Sequence, residues 1–268
     1  MKILVTGGAG FVGSNLCEAL AKDPQNDVYS LDNYFTGSRD NHVSGVTYIE
    51  GSTEHIFELI NFTPDLIYHL GEYSRVEQSF EDIDKVLLFN KIGTLKVLEF
   101  CRKRGCKLVY AGSSTKFGDG GMGKDQSPYA WSKSSNTELI INYGNWYNLE
   151  YAIVYFYNVY GRREIRTGKY ATLIALFTEK MRKGEPLTVV SPGTQQRNLS
   201  ATGERKASPS QSVGKVSVSV CTRCRQSGML VSIETATICS FFPKARCNRF
   251  TWLSISVLSD DQFAQNTT

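Results

Sequence analysis

The chain has 268 residues, a formal net charge of +4, 41% hydrophobic and 21% charged residues, which suits one large domain or two modest ones with a core of ordinary size. So small a charge, with no dense Lys/Arg cluster among aromatics, argues against a nucleic-acid partner, and no apolar run reaches membrane-spanning length. The run Met1–Gly7 is too short for a signal peptide, so no membrane partner and a cytoplasmic location are expected, with cysteines kept reduced.

Up to about residue 190 strand-like and helix-like segments alternate. Lys2–Thr6 is an apolar run of strand length, and Phe11–Lys22 has helical spacing with Leu16, Ala19 and Leu20 on one side. Asp27–Leu31 and Val46–Glu50 are further strands, His55–Asn61 a short helix ended before Pro64, and Leu66–Leu70 a fourth strand. Asp84–Arg104 is a long helix, Lys107–Ala111 a fifth strand, Ser127–Tyr147 a helix, Tyr151–Tyr155 a sixth strand, and Ala171–Lys183 an amphipathic helix. The alternation predicts an α/β fold, a doubly wound parallel sheet of Rossmann type with crossover helices on both faces. Ligands in such sheets bind beyond the carboxyl ends of the strands.

Between the first strand and first helix lies Gly8-Ala9-Gly10-Phe11-Val12-Gly13. In that context a G-x-G-x-x-G string is a dinucleotide fingerprint. Gly8 is expected to permit the tight turn, Gly10 to let the backbone approach a pyrophosphate, and Gly13 to bring helix and strand together. The free N–H groups of the helix start face the phosphates. Asp32 follows at about the 20-residue distance the fingerprint requires. Its carboxylate would accept from the adenosine ribose and repel a 2′-phosphate, which predicts NAD as cofactor in preference to NADP.

Tyr129 and Lys133 are spaced i, i+4 and share a helix face; of the chain's 14 tyrosines only Tyr129 has Lys four positions on. A phenol titrates near 10, and a neighbouring ammonium with a cationic nicotinamide favours the phenolate. The phenolate can take a proton from a sugar hydroxyl as hydride leaves the same carbon. Ser113, just past the fifth strand, can donate to the reacting oxygen. The catalytic set expected is Ser113, Tyr129 and Lys133.

These motifs come in a recognisable order. Thr6-Gly7-Gly8-Ala9-Gly10-Phe11-Val12-Gly13, Asp32-Asn33, His69-Leu70-Gly71, Asn90 with Gly93-Thr94, Gly112–Gly118, Ser127–Lys133 and Tyr157-Asn158-Val159-Tyr160-Gly161 together resemble the NAD-dependent epimerase/dehydratase family, the extended short-chain dehydrogenase/reductases, and most of all its UDP-glucose 4-epimerase-like members. The resemblance runs over about residues 1–198. It implies that Gly7, Gly8, Gly10, Phe11, Val12, Gly13, Asp32, Asn33, Leu70, Asn90, Tyr129 and Lys133 hold NAD. It also implies that Ser74, Ser113, Ser114 and Asn158 meet a nucleotide-sugar substrate, a UDP-sugar by the look of the motifs. A homodimer is the expected assembly.

Dehydratases of the family resemble one another in an Asp-Glu pair after the position of Ser113, and decarboxylating relatives carry Glu where Thr115 stands. Ser114 and Thr115 supply neither, which leaves reversible NAD-dependent oxidation at sugar C4, a nucleotide-sugar epimerase. Glu72 and Tyr73 depart from the small residues more common after His69-Leu70-Gly71, and Ser52 stands where Asp usually lies beside the adenine.

The organisation expected is residues 1–165 as the NAD-binding domain, 166–198 as the start of a substrate domain, and 199–268 as an atypical tail. Gly193–Asn198 resembles the family's substrate-domain segment, but Leu199-Ser200-Ala201-Thr202-Gly203 does not continue it. The Ser/Thr-rich remainder lacks a sustained period, so it is expected to be foreign to the family, after a reading-frame change or a fusion, and poorly ordered. That predicts exposed apolar residues on the last helix, with Leu173, Leu176 and Phe177 as candidates, and a second reading of the chain as a catalytically impaired NAD-binding protein. Cys221, Cys224, Cys239 and Cys247 lack the tight second pair of a structural zinc site, so no metal is expected.

Overall fold

The computed structural model describes residues 1–187, 199–202, 217–222, 230–234 and 255–258. Its centre is a parallel sheet of β1 (Lys2–Thr6), β2 (Asp27–Asp32), β3 (Val46–Glu50), β4 (Leu66–His69), β5 (Lys107–Ser113) and β6 (Tyr151–Phe156), in the order β3-β2-β1-β4-β5-β6. That order is the Rossmann arrangement, reversing direction between β1 and β4. At the far edge β6 pairs antiparallel with β9 (Ser217–Thr222), followed by β10 (Leu230–Glu234) and β11 (Ile255–Leu258). A separate pair joins β7 (Asn158–Gly161) in parallel to β8 (Leu199–Thr202).

The period-two pattern of the strands divides the core between the two faces. Leu4, Leu31, Ile67, Leu108, Tyr110 and Ile153 point to one side, against Val97, Phe100 and Cys101 of α4 (Thr94–Arg104) and Ile140 and Tyr143 of α5 (Pro128–Tyr147). Ile3, Val5, Tyr68, Val109, Ala152 and Val154 point to the other, where Cys17 and Leu20 of α1 (Phe11–Leu20) meet them. Cys17, Cys101 and Cys106 are buried free thiols. Burial pushes Cys17 up to about 12 and Cys106 up to about 11, and raises Cys101 well above its ordinary value.

Local chemistry sets the helix ends. Ser127 accepts from the Ala130 N–H at 3.1 Å and Pro128 occupies the first turn, so the helix starts one residue after the expected Ser127. Gly105 ends α4 in the left-handed region at φ 72°. The long helix expected from Asp84 starts at Ile83 and runs as three pieces: α3 (Ile83–Val86), a π-helical stretch Leu87–Gly93, and α4. The wide turn carries Asn90. The short helix expected at His55–Asn61 is a 3₁₀ turn Thr53–His55 followed by α2 (Ile56–Leu59).

Strand β4 stops at His69 rather than Leu70, whereas β5 continues two residues past Ala111 because Gly112 and Ser113 pair with Tyr155 and Phe156. A 3₁₀ segment Ser114–Asp125 follows without having been foreseen. In α6 (Leu173–Arg182) Leu173 is exposed, while Leu176 and Phe177 are half-buried rather than open. Among the described residues no helix is long and apolar enough to cross a membrane. Cys224, Cys239, Cys247 and most of the expected tail lie outside the described residues.

Candidate active site

The carboxyl ends of β1, β2, β4 and β5 carry the glycine turn, Asp32, Leu70 and Ser113 of the expected set. The turn after β1 is left-handed at Gly7, φ +75°, which corrects the assignment of that role to Gly8. A Cβ on Gly7 would stand 2.8 Å from the Gly71 backbone, so the β1 and β4 loops touch here. A Cβ on Gly8 would meet the Ser30 hydroxyl at 2.4 Å, and one on Gly13 would lie 2.0 Å from the Gly7 carbonyl oxygen. Gly8 and Gly13 thus serve close packing. Gly10 caps α1 without a side-chain acceptor, and the first turn, with Phe11 and Val12, carries no acid. Its N–H groups and positive dipole end remain available to an anion.

Asp32 ends β2 with its carboxylate accepting from the N–H groups of Ala9 and Tyr34, each at 2.8 Å. Burial pushes its carboxyl above the usual range, against those backbone bonds. The Asn33 side chain accepts from the Phe35 N–H at 3.1 Å, and Ser38 and Asn41 donate to the Ala9 carbonyl, tying this loop to the glycine turn. Arg39 is drawn to Glu50 at 2.6 Å on the surface. Ser52 donates to Glu54.

On α5, Lys133 donates to the Ala111 carbonyl at 2.7 Å, two residues before Ser113 on β5. Tyr129, one turn earlier on the same helix, is buried beside Tyr73 and Val86. Ser113 is buried, and its hydroxyl oxygen accepts from the N–H and hydroxyl of Thr115 at 3.3 and 3.0 Å. Ser74 is exposed and accepts from Arg75, Ser114 is half-buried, and Asn158 is exposed at the start of β7.

Asn90 approaches from behind the loop. It is fully buried, accepts from the Tyr73 N–H at 2.7 Å, and donates to the Tyr73 carbonyl and the Ser132 hydroxyl. Its amide clamps the segment after Leu70 instead of standing open to a ligand.

The partner of Lys133 was not foreseen. Its ammonium forms an ion pair with Glu72, whose side chain is 1% exposed. The other Glu72 oxygen accepts from Thr94 at 2.8 Å, Asn136 at 3.0 Å and Tyr110 at 3.1 Å. Burial works to raise the Glu72 carboxyl, but Lys133 and the donated hydrogen bonds outweigh it and hold it below the ordinary range. His69 bridges Thr6 at 2.7 Å and Thr94 at 2.9 Å, and burial pushes its imidazole down to about 4, so it is neutral. Thr6 already accepts from the Leu70 and Gly71 N–H groups, so its proton goes to His69 Nδ1. His69 Nε2–H then donates to Thr94, and Thr94 to Glu72. The anomaly at position 72 was visible in sequence; a contact spanning 61 residues was not.

The profile of the NAD-dependent epimerase/dehydratase family matches residues 3–201. The chain belongs to this family. Among its relatives, UDP-glucuronic acid decarboxylase 6 of Arabidopsis thaliana is 32% identical over 216 residues, which cover 74% of this chain and 62% of the plant protein. The chain thus spans less than two thirds of that relative's length. Among solved structures, a UDP-glucose 4-epimerase of Thermotoga maritima with UDP-glucose superposes with a TM-score of 0.68 at 29% identity, covering 75% of this chain and 70% of that one. A Thermus thermophilus UDP-glucose 4-epimerase in complex with NAD gives 0.64 at 30% identity, with 76% and 71% covered. NAD is the cofactor of this epimerase/dehydratase fold. The residues present fit it: the tight glycine turn after β1, the start of α1 without a side-chain cap, and the Asp32 carboxylate at the end of β2.

Proposed function

We propose that the chain's lineage is that of a nucleotide-sugar 4-epimerase acting by reversible NAD-dependent oxidation at sugar C4, with a UDP-sugar as substrate. The observation that carries this is that Tyr129 and Lys133 stand one turn apart on α5, with the Lys133 ammonium bonded to the Ala111 carbonyl two residues before Ser113 on β5, and with no carboxylate between Ser113 and Phe117. An eliminating or decarboxylating enzyme needs acid/base groups that Ser114 and Thr115 lack.

Gly7, Gly8, Gly10, Phe11, Val12 and Gly13 would hold the pyrophosphate of NAD, Asp32 and Asn33 the adenosine ribose, Leu70 the cofactor's inner side, and Tyr129 and Lys133 the nicotinamide ribose. When bound, NAD accepts hydride from the sugar carbon and returns it. Tyr129 takes the proton from the C4 hydroxyl and gives it back, which is worth roughly 10²–10⁴-fold in rate. Ser113 donates to the reacting oxygen. Ser74, Ser114 and Asn158 belong to the sugar and diphosphate side. The test is interconversion of UDP-glucose and UDP-galactose, or of their N-acetyl forms, without added cofactor. Release of CO₂ from UDP-glucuronic acid instead would replace epimerisation with decarboxylation.

A second reading has an observation of its own. The family match ends at residue 201, which favours a chain with the cofactor half intact and the substrate half replaced by foreign sequence from about Leu199. On that reading NAD binds and no UDP-sugar turns over. A homodimer is the assembly proposed, because Leu88, Ile92 and Leu95 recur at helical spacing and stand exposed, as does Trp131. Such a stripe suits a second copy of the same helices.

A further inference from the structure

A lysine meant to meet a cofactor is ordinarily left with its charge facing the site, yet Lys133 carries a buried counter-charge. A buried carboxylate persists only where its oxygens are bonded and its charge is matched. Glu72 meets both conditions through Lys133, Thr94, Tyr110 and Asn136. Three of these four partners lie on helices α4 and α5 and one on β5, and none is replaceable by water at 1% exposure. Asn90 fixes Tyr73, the next residue, through both its N–H and its carbonyl. The backbone carrying Glu72 therefore has little freedom.

We propose that Glu72 is a positioning residue for Lys133. It holds the ammonium at the carboxyl end of β5 with two of its three N–H bonds spent on Glu72 and Ala111, leaving one for the cofactor. The inference rests on Lys133 belonging to the NAD site. The relay Thr6–His69–Thr94–Glu72 ties this placement to the glycine turn, because Thr6 ends β1 and its hydroxyl holds the Leu70 and Gly71 N–H groups. The lysine and the pyrophosphate loop are thus set in one hydrogen-bonded frame. Without the carboxylate, a flexible four-carbon stem would have only the Ala111 carbonyl to fix it.

The experiment is a double-mutant cycle read by NAD titration calorimetry on the full chain: wild type, Glu72→Gln, Lys133→Met and the double variant, with turnover measured in parallel. A positioning role predicts that Glu72→Gln weakens NAD about tenfold or more, and that the double variant binds no worse than Lys133→Met alone. Glu72→Asp keeps the charge but withdraws it by one methylene; it should weaken NAD several-fold while the circular dichroism spectrum stays native, and it carries the test if Glu72→Gln does not fold. Wild-type affinity in either Glu72 variant, or losses that multiply in the double, would overturn the proposal. Wild type that fails to bind NAD would overturn the cofactor assignment and this inference together. Wild type that binds NAD without turning over a UDP-sugar would overturn only the epimerase reading, and the cycle would still decide the role of Glu72.

Discussion

Replacing Lys133 with methionine removes the counter-charge of a carboxylate whose side chain is 1% exposed. Breaking a buried pair from one side costs about 3–5 kcal/mol. The carboxyl can escape by taking up a proton, and at pH 7 this costs about 3.7 kcal/mol for a group of ordinary pKa near 4.3. Thr94, Tyr110 and Asn136 continue to donate to it, so the charge contributes no more than that. The expected loss for the cofactor-free protein at pH 7 is about 3–4 kcal/mol, falling to about 1 kcal/mol at pH 5, where protonation is cheap.

The sign follows from the two directions. In the wild type Glu72 is held below its ordinary range, so its stabilisation is present above the unfolded pKa and stays nearly constant between pH 7 and 5. In the variant burial raises the same carboxyl, so stability is regained as the pH falls towards the unfolded pKa. Urea unfolding followed by circular dichroism at both pH values measures the difference. Adding Glu72→Gln to Lys133→Met should restore most of the loss at pH 7. A loss under about 1 kcal/mol, or one equal at the two pH values, would refute the reasoning.

Tyr129→Phe should lower any UDP-sugar turnover by roughly 10²–10⁴-fold and leave NAD affinity within a few-fold by calorimetry; an unchanged rate removes Tyr129 from the chemistry. Asp32→Asn should cut the preference for NAD over NADP by about tenfold or more, the scale of one charged hydrogen bond; paired titrations with the two cofactors check this. Gly13→Ala puts a Cβ 2.0 Å from the Gly7 carbonyl oxygen, so helix and turn must separate. NAD binding should be lost and the unfolding midpoint should fall, at a cost of about 1–3 kcal/mol.

What could be read in the sequence was what is local. Lys2–Thr6 fell where it was expected because a buried strand is a short apolar run bounded by turns, and the half-exposed edge strand Val46–Glu50 because β-branched and aromatic residues run between Gly45 and Gly51. The start of α5 was nearly right because Ser127 and Pro128 are a cap and a first-turn proline. The π-helical turn at Leu87–Gly93 leaves the 3.6-residue pattern almost intact and so gave no sign. The end of β5 depended on whether Gly112 and Ser113 found partners on β6, which only the sheet decides. Similarly, the left-handed turn falls at Gly7, one place before the fingerprint's first glycine, where Gly7 packs against Gly71 of the loop after β4. Of the proposed site, Tyr129, Lys133 and Asp32 are proposed from their spacing and Ser113 from its place after a strand, whereas the burial of Asn90 and the partner of Lys133 come from elements brought together only by folding.

Cys17, Cys101 and Cys106 are chemically silent in the folded protein. Only thiolates attack alkylating reagents, and burial holds Cys17 near 12 and Cys106 near 11 while enclosing all three side chains. Labelling of these positions must therefore wait for the structure to open. Cys17 lies directly beneath the glycine turn, where a Cβ on Gly8 would come within 3.0 Å of its sulfur, whereas Cys101 and Cys106 lie in the core on the opposite face of the sheet. The chain thus carries built-in reporters at two depths, one under the phosphate loop and one behind the sheet, which distinguish a local loosening of the cofactor corner from unfolding of the whole.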